Sequence, residues 1–153
     1  MIDKPNILYV DDEMNNLISF KALFRLKYNI YIAQGGPDAI KILNENEINI
    51  IITDQRMPEM TGVEFLETIL HDHPEPMRIL LTGYSDLNAV IDAINKGKIF
   101  HYLSKPWNEE ELETTIQRAF DIYKKRRMEK ETNDKLLVTN DQLEFLLRQK
   151  LLS

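Results

Sequence analysis

Apolar residues fall along this chain in two alternating rhythms. Short, nearly unbroken runs recur at residues 6–10 (NILYV), 29–33 (NIYIA), 48–53 (INIIIT), 77–81 (MRILL) and 99–103 (IFHYL). Each has the length of a strand. The run Ile50-Ile51-Ile52 shows no polar alternation, which suits a central strand covered on both faces. Between the runs, apolar residues recur at helical spacing: Leu17, Phe20, Leu23, Phe24 and Leu26, then Ala39, Ile40 and Leu43. Phe65, Leu66, Ile69 and Leu70 mark a third helix, and Leu87, Val90, Ile91 and Ile94 a fourth that Gly97 stops. Pro37 opens the second helix, where its fixed φ suits the first turn. Asn108 caps a fifth. Glu111 completes a capping-box pattern there, and Glu109 and Glu110 suit the positive end of the helix dipole.

Five strands alternating with five helices predict an α/β fold, a parallel sheet with right-handed crossovers and helices on both faces. In such a sheet the carboxyl ends of all strands share one edge, where ligands bind. The residues at those ends carry the candidate chemistry. Asp11 and Asp12 follow the first strand, Asp54 the third, Thr82 the fourth and Lys105 the fifth. A lone strand-end aspartate is ordinarily a solvated loop acid. Convergence of several charged ends on one edge changes that reading. Three close carboxylates cannot all stay ionised without a partner. A hard divalent cation is the usual remedy, and Mg²⁺ suits a site with few carboxylates. A lysine and a hydroxyl opposite the acids would hold an anion. Together these groups read as a phosphoryl-transfer site with Asp54 as the nucleophile.

Four strand-end segments carry a resemblance: VDDE at 10–13, TDQRMPEMTG at 53–62, LTGYSD at 81–86 and YLSKPW at 102–107. In this order, they resemble the response-regulator receiver domain of bacterial two-component signalling, over roughly residues 4–124. The resemblance implies a flavodoxin-like, doubly wound five-stranded sheet of order 2-1-3-4-5. It implies that Asp54 accepts a phosphoryl group from a histidine kinase or phosphotransfer protein. Asp11, Asp12, Asp54 and the main-chain carbonyl of Arg56 then match the Mg²⁺ ligands. Thr82 matches the hydroxyl that bonds the phosphoryl oxygen, and Lys105 the lysine that pairs with the acyl phosphate. Tyr102 matches the aromatic switch residue that turns inward when Thr82 is recruited. The surface of the fourth helix, fifth strand and fifth helix would then change shape for a partner or output domain. The resemblance also implies a cis Lys105-Pro106 bond. Arg56 and Tyr84 match the positions that in the family flank the entry for attacking water and tune how long the phosphoryl group survives, and their bulk predicts slow self-dephosphorylation.

Composition narrows the alternatives. With 153 residues, 43% of them apolar, the chain suits one domain with an appendage. Neither a signal-peptide pattern nor an apolar run of membrane-spanning length is present. The absence of cysteine excludes disulfides and thiolate metal sites and fits a cytoplasmic location. A net charge of −6 disfavours direct nucleic-acid binding, and the basic run at 124–127 reads as a solvated helix face. The receiver is assigned to residues 1–124 and a helical extension to 125–153. No Pro or Gly interrupts residues 108–153, so a long fifth helix, or that helix and another, is expected. Leu136, Leu143 and Leu147 repeat as imperfect heptads broken by Asn133 and Asn140. They predict a parallel coiled-coil homodimer or a linker to an output domain. The chain reads as a signalling phosphoacceptor and not an enzyme. A phosphatase of the haloacid-dehalogenase type needs a second aspartate two residues after the nucleophile, where this chain has Arg56. The remaining alternative is a vestigial receiver acting as a dimerisation or interaction module.

Overall fold

The β-branched and aromatic runs form five strands, joined by helices whose apolar stripes face them. In chain order the elements are β1 Asn6–Val10, α1 Met14–Phe24, β2 Asn29–Ala33, α2 Gly36–Glu45 and β3 Ile50–Asp54. They continue with α3 Gly62–Ile69, β4 Met77–Thr82, α4 Leu87–Asn95, β5 His101–Ser104 and α5 Glu109–Leu152. The computed structural model describes residues 4–83 and 86–152, with Leu152 by its backbone alone. Tyr84 and Ser85 of the LTGYSD segment, residues 1–3 and Ser153 lie outside the described residues.

The sheet is five-stranded in the order β2-β1-β3-β4-β5, and every pairing is parallel. This is the doubly wound, flavodoxin-like order. β3 is central and buried at all five positions, as its unbroken isoleucines require. Leu8, Val10, Ile51 and Leu80 join one apolar cluster with Ala39 and Leu43 of α2, Phe65, Leu66 and Ile69 of α3, and Val90 and Ala93 of α4. The alternate residues Ile7, Tyr9, Ile50, Ile52 and Ile79 are as fully buried, and strand periodicity turns them to the opposite face. On that face Tyr9 stacks on Phe20 of α1.

Several elements differ from the sequence pattern: β3 spans Ile50–Asp54 where its apolar run covers 48–53, and Leu87 and Ile91 of α4 are exposed. Helix α1 ends at Phe24, with Arg25 as its C-cap, so Leu26 lies beyond it and is exposed. Leu23 is exposed as well, because the inward face is set by Leu17, Phe20 and Phe24, and Leu23 is about 100° away from Phe24 around the helix. β5 begins at His101, two residues later than its apolar run, although Ile99 is buried and Phe100 N–H still bonds Arg78 O at 2.7 Å.

Residues 1–120 form one compact unit and residues 121–153 a second. In the second, Met128, Leu136, Leu137, Val138, Leu143, Phe145, Leu146, Leu147 and Leu151 are all exposed. The extension is therefore the continuation of α5, without a break into another helix. No helix among the described residues is long and apolar enough to cross a membrane.

Gly97 ends α4 with φ of 72°, in the left-handed region. Its N–H bonds Ile94 O at 3.0 Å and Lys98 N–H bonds Ala93 O at 2.9 Å, which together close a Schellman motif. A side chain is strained in that conformation, so Gly97→Ala should cost about 1 kcal/mol of stability. Urea denaturation measures it, and an unchanged midpoint would contradict the account.

Candidate functional site

The site is built from the loops that leave the carboxyl ends of the strands. Asp54 closes β3 opposite Leu81 of β4, and the next residue continues the ladder, Gln55 N–H bonding Leu81 O at 3.0 Å. The chain then folds back on itself. Gly62 N–H bonds Gln55 O at 2.9 Å, and the Gln55 side-chain oxygen accepts from Val63 N–H at 2.9 Å. A Cβ at Gly62 would lie 2.4 Å from the Asp54 carbonyl oxygen, so only glycine permits this return. Thr61 caps α3 by accepting from Glu64 N–H at 3.1 Å.

Asp54 is buried, yet Lys105 Nζ reaches its Oδ1 at 2.5 Å. The same oxygen accepts from Gln55 N–H at 3.0 Å. Asp11 and Asp12 stand close by. One carboxylate oxygen from each of Asp11, Asp12 and Asp54 lies within 4.8 Å of the others. Among the described residues this is the one group of three or more such side chains able to hold a metal ion. Its donor set fits a hard divalent cation: all oxygen, carboxylate-rich, with a single lysine to offset three acids.

Asp11 is fully buried and held by three donors. Tyr9 Oη donates to Oδ2 at 2.9 Å, Asn16 Nδ2 to Oδ2 at 3.2 Å, and Glu13 N–H to Oδ1 at 3.0 Å. Burial first, then the Asp11 carboxylate, holds the Tyr9 phenol well above its ordinary range, so it remains a proton donor at neutral pH. An open cleft of about 510 Å³ beside the carboxylates is lined by Tyr9, Asp11, Asn16, Phe20, Lys105 and Trp107 among others.

The remaining residues fall as follows. Thr82 is buried at the end of β4, donates to Gly83 O at 3.2 Å, and accepts Lys105 N–H at its backbone oxygen at 2.9 Å. Tyr102 pairs with Leu80 in the ladder and is half-buried against the apolar cluster. The Lys105-Pro106 bond is cis. Arg56 is exposed, and its Nε pairs with Asp86 Oδ2 at 3.1 Å, bridging the loop after β3 to the start of α4. Tyr84, expected beside Arg56, lies outside the described residues. Trp107 packs against Phe20 and Phe24. Tyr9, Asn16, Gln55, Gly62 and Asp86 were given no individual role from the sequence. Gln55, Gly62 and Asp86 lie within the TDQRMPEMTG and LTGYSD segments, and Tyr9 carries a positional signal, since it precedes Asp11 by two on a strand and shares its face.

A parallel sheet of this order, with acids and a lysine meeting at its carboxyl edge, defines the class of protein. The chain belongs to the response regulator receiver domain family, which it matches over residues 7–117. It is 33% identical over 126 residues to the hydrogenase transcriptional regulatory protein HoxA of Bradyrhizobium diazoefficiens, across 82% of this chain and 25% of that protein. The chain thus spans about a quarter of the length of the curated relatives it matches. A response regulator receiver domain protein from Clostridium thermocellum superimposes with a TM-score of 0.74 and 32% identity, covering 78% of this chain and 97% of that one. A structure described as adenylate cyclase from Rhodopirellula baltica gives a TM-score of 0.84 at 26% identity, covering 86% and 98%.

Burial raises the Asp54 carboxyl above the ordinary aspartate range; the Lys105 hydrogen bond and charge lower it, and Asp11 raises it again. A folded-state value above the unfolded one means that the ionised form opposes folding once pH exceeds about 3.9. Asp54→Asn should therefore raise the unfolding midpoint at pH 7 in EDTA, and the gain should vanish below about pH 4. A variant less stable than wild type at neutral pH would contradict this charge balance.

Proposed function

We propose that this chain is a phosphoacceptor switch. The observation that carries the reading is the Lys105 ammonium 2.5 Å from Asp54, together with Asp11 and Asp12 carboxylate oxygens within 4.8 Å of an Asp54 oxygen. An oxygen of Asp54 attacks the phosphorus of a histidine kinase's or phosphotransfer protein's phosphohistidine. The P–N bond breaks as the P–O bond forms, and the imidazole leaves. Asp11, Asp12, Asp54 and the main-chain carbonyl of Arg56 would hold Mg²⁺, which would supply positive charge to the phosphoryl oxygens. Lys105 neutralises the remaining charge, and the Thr82 hydroxyl donates to a phosphoryl oxygen. The protein assists its own phosphorylation and dephosphorylation only, and works in the cytoplasm.

Phosphorylation adds charge and acceptor oxygens beside residues that now hold Asp54. Thr82 and the loop after β4 move toward the phosphoryl group, and Tyr102 turns into the space they leave. The surface of α4, β5 and α5 changes, and an output domain or effector protein reads it. The transcriptional regulatory proteins among its relatives support such a reader. The exposed Arg56 guanidinium, tied to Asp86, shields the acyl phosphate and slows its hydrolysis.

Residues 1–124 are the receiver in this reading, and residues 125–153 extend α5 as a linker. Leu136, Leu143 and Leu147 are exposed at heptad spacing, which supports a parallel coiled-coil homodimer. Asn133 and Asn140 recur seven residues apart in the same stripe, and asparagine in such a seam favours one register.

Intact mass after incubation with acetyl phosphate tests the chemistry. A single phosphoryl adduct should form with Mg²⁺, and none with EDTA or in Asp54→Ala. No adduct on folded wild-type protein would shift the reading to a vestigial receiver that acts as an interaction module. The adduct should outlast minutes, and loss within seconds would count against shielding by Arg56. Light scattering tests the tail. Full-length protein should dimerise and a chain lacking residues 128–153 should not; a full-length monomer in both phosphorylation states at micromolar concentration would sink the coiled coil.

A further inference from the structure

The donors around Asp11 do more than satisfy a buried carboxylate. Tyr9 and Asn16 come from different elements, yet both donate to the same oxygen, Oδ2, at 2.9 and 3.2 Å. The Tyr9 ring lies flat on Phe20, with centroids 4.1 Å apart and planes 2° from parallel, so the hydroxyl is held in place. Phe20 follows Asn16 by one helical turn, so a single face of α1 supplies both the wall and the second donor. The stack continues to Trp107, whose ring meets Phe20 edge-on at 6.3 Å and lies two residues beyond Lys105. The acidic and basic sides of the site are thus keyed to one aromatic cluster.

We infer that Tyr9 and Asn16 are positioning residues for the divalent cation, fixing the Asp11 carboxylate before the cation arrives. This rests on the reading of Asp11 as part of a Mg²⁺ site. The physical reason is like-charge repulsion. Asp11, Asp12 and Asp54 bring their oxygens within 4.8 Å of one another, and an unrestrained carboxylate would turn away from its neighbours. Neutral donors on Oδ2 offset that repulsion and orient the group without adding a competing charge. A carboxylate already in place loses less side-chain freedom on binding. Residues in this position around a metal ligand commonly govern affinity by about tenfold or more.

Trp107 is the single tryptophan of the chain, so its emission reports the cluster directly. The test is Mg²⁺ titration of the full chain by calorimetry and by Trp107 fluorescence, for wild type, Tyr9→Phe and Asn16→Ala. Tyr9→Phe keeps the stacked ring, and Asn16 is exposed on α1, so both variants should fold. Each should weaken Mg²⁺ binding by about tenfold. In each variant the Mg²⁺ concentration giving half-maximal reaction with acetyl phosphate should rise in step with the weaker binding, and added Mg²⁺ should recover the loss, which separates positioning from general damage to the site. A Tyr9→Phe affinity within about twofold of wild type, or tighter, overturns the inference while leaving the phosphoacceptor reading intact. Wild-type protein that binds no Mg²⁺ overturns both.

Discussion

Repulsion among acids at the sheet edge is the constraint around which this domain is arranged. Asp11 and Asp54 are both buried, Asp12 is close, and burial weakens the water that would otherwise screen them. The buried carboxylates of Asp11 and Asp54 are met by donors drawn from several elements. Lys105 comes from the end of β5, Gln55 N–H from the loop after β3, and Tyr9 from β1. Asn16 comes from α1 and Glu13 N–H from the turn between them. The donors compensate only in part, since Asp54 still ionises less readily than an ordinary aspartate. A site left short of positive charge favours a cation, and a cation-bound carboxylate favours an incoming phosphoryl group.

The same contacts tie Asp54 to the rest of the fold. Lys105 N–H bonds the backbone oxygen of Thr82, and Gln55 N–H bonds that of Leu81, so the ends of β3, β4 and β5 are joined in series. Arg56 and Asp86 add an exposed ion pair between the loop after β3 and the start of α4. Such a pair contributes little to stability in solvent, but it places a charge two residues from the acceptor in sequence. A doubly charged group on Asp54 would compete for Lys105 and Arg56 together. In the proposed switch, Tyr102 has room to respond because it is only half-buried against the apolar cluster.

Much of this was legible in the sequence, for physical reasons. Unbroken apolar runs such as Ile50-Ile51-Ile52 can be satisfied only between two helical layers, and alternation with helices forces a parallel sheet. Parallel strands place Asp11, Asp54, Thr82 and Lys105 on one edge without any knowledge of distances. Helix faces were less legible. Leu23 and Leu26 fit an apolar stripe, but the helix stops at Phe24 and its inward face is too narrow to include them. Asn16 and Gln55 have ordinary side chains whose importance comes from what they reach. Gly62 resembles any glycine before a helix until the Asp54 carbonyl is found where its Cβ would be. The resemblance to receivers marked Arg56 as a tuning position, while its partner Asp86 follows only from the folded loops.

The extension poses a simpler problem. Its leucines are exposed within their own compact unit, and the proposed coiled coil is the partner that would cover them. The site itself depends on the partly relieved charge at the sheet edge. Scanning calorimetry across a Mg²⁺ series tests it most directly. If the acids form a cation site under repulsion, the wild-type melting temperature climbs with Mg²⁺ concentration by mass action, and that of Asp11→Asn combined with Asp54→Asn stays flat. A wild-type melting temperature indifferent to Mg²⁺ would contradict the account.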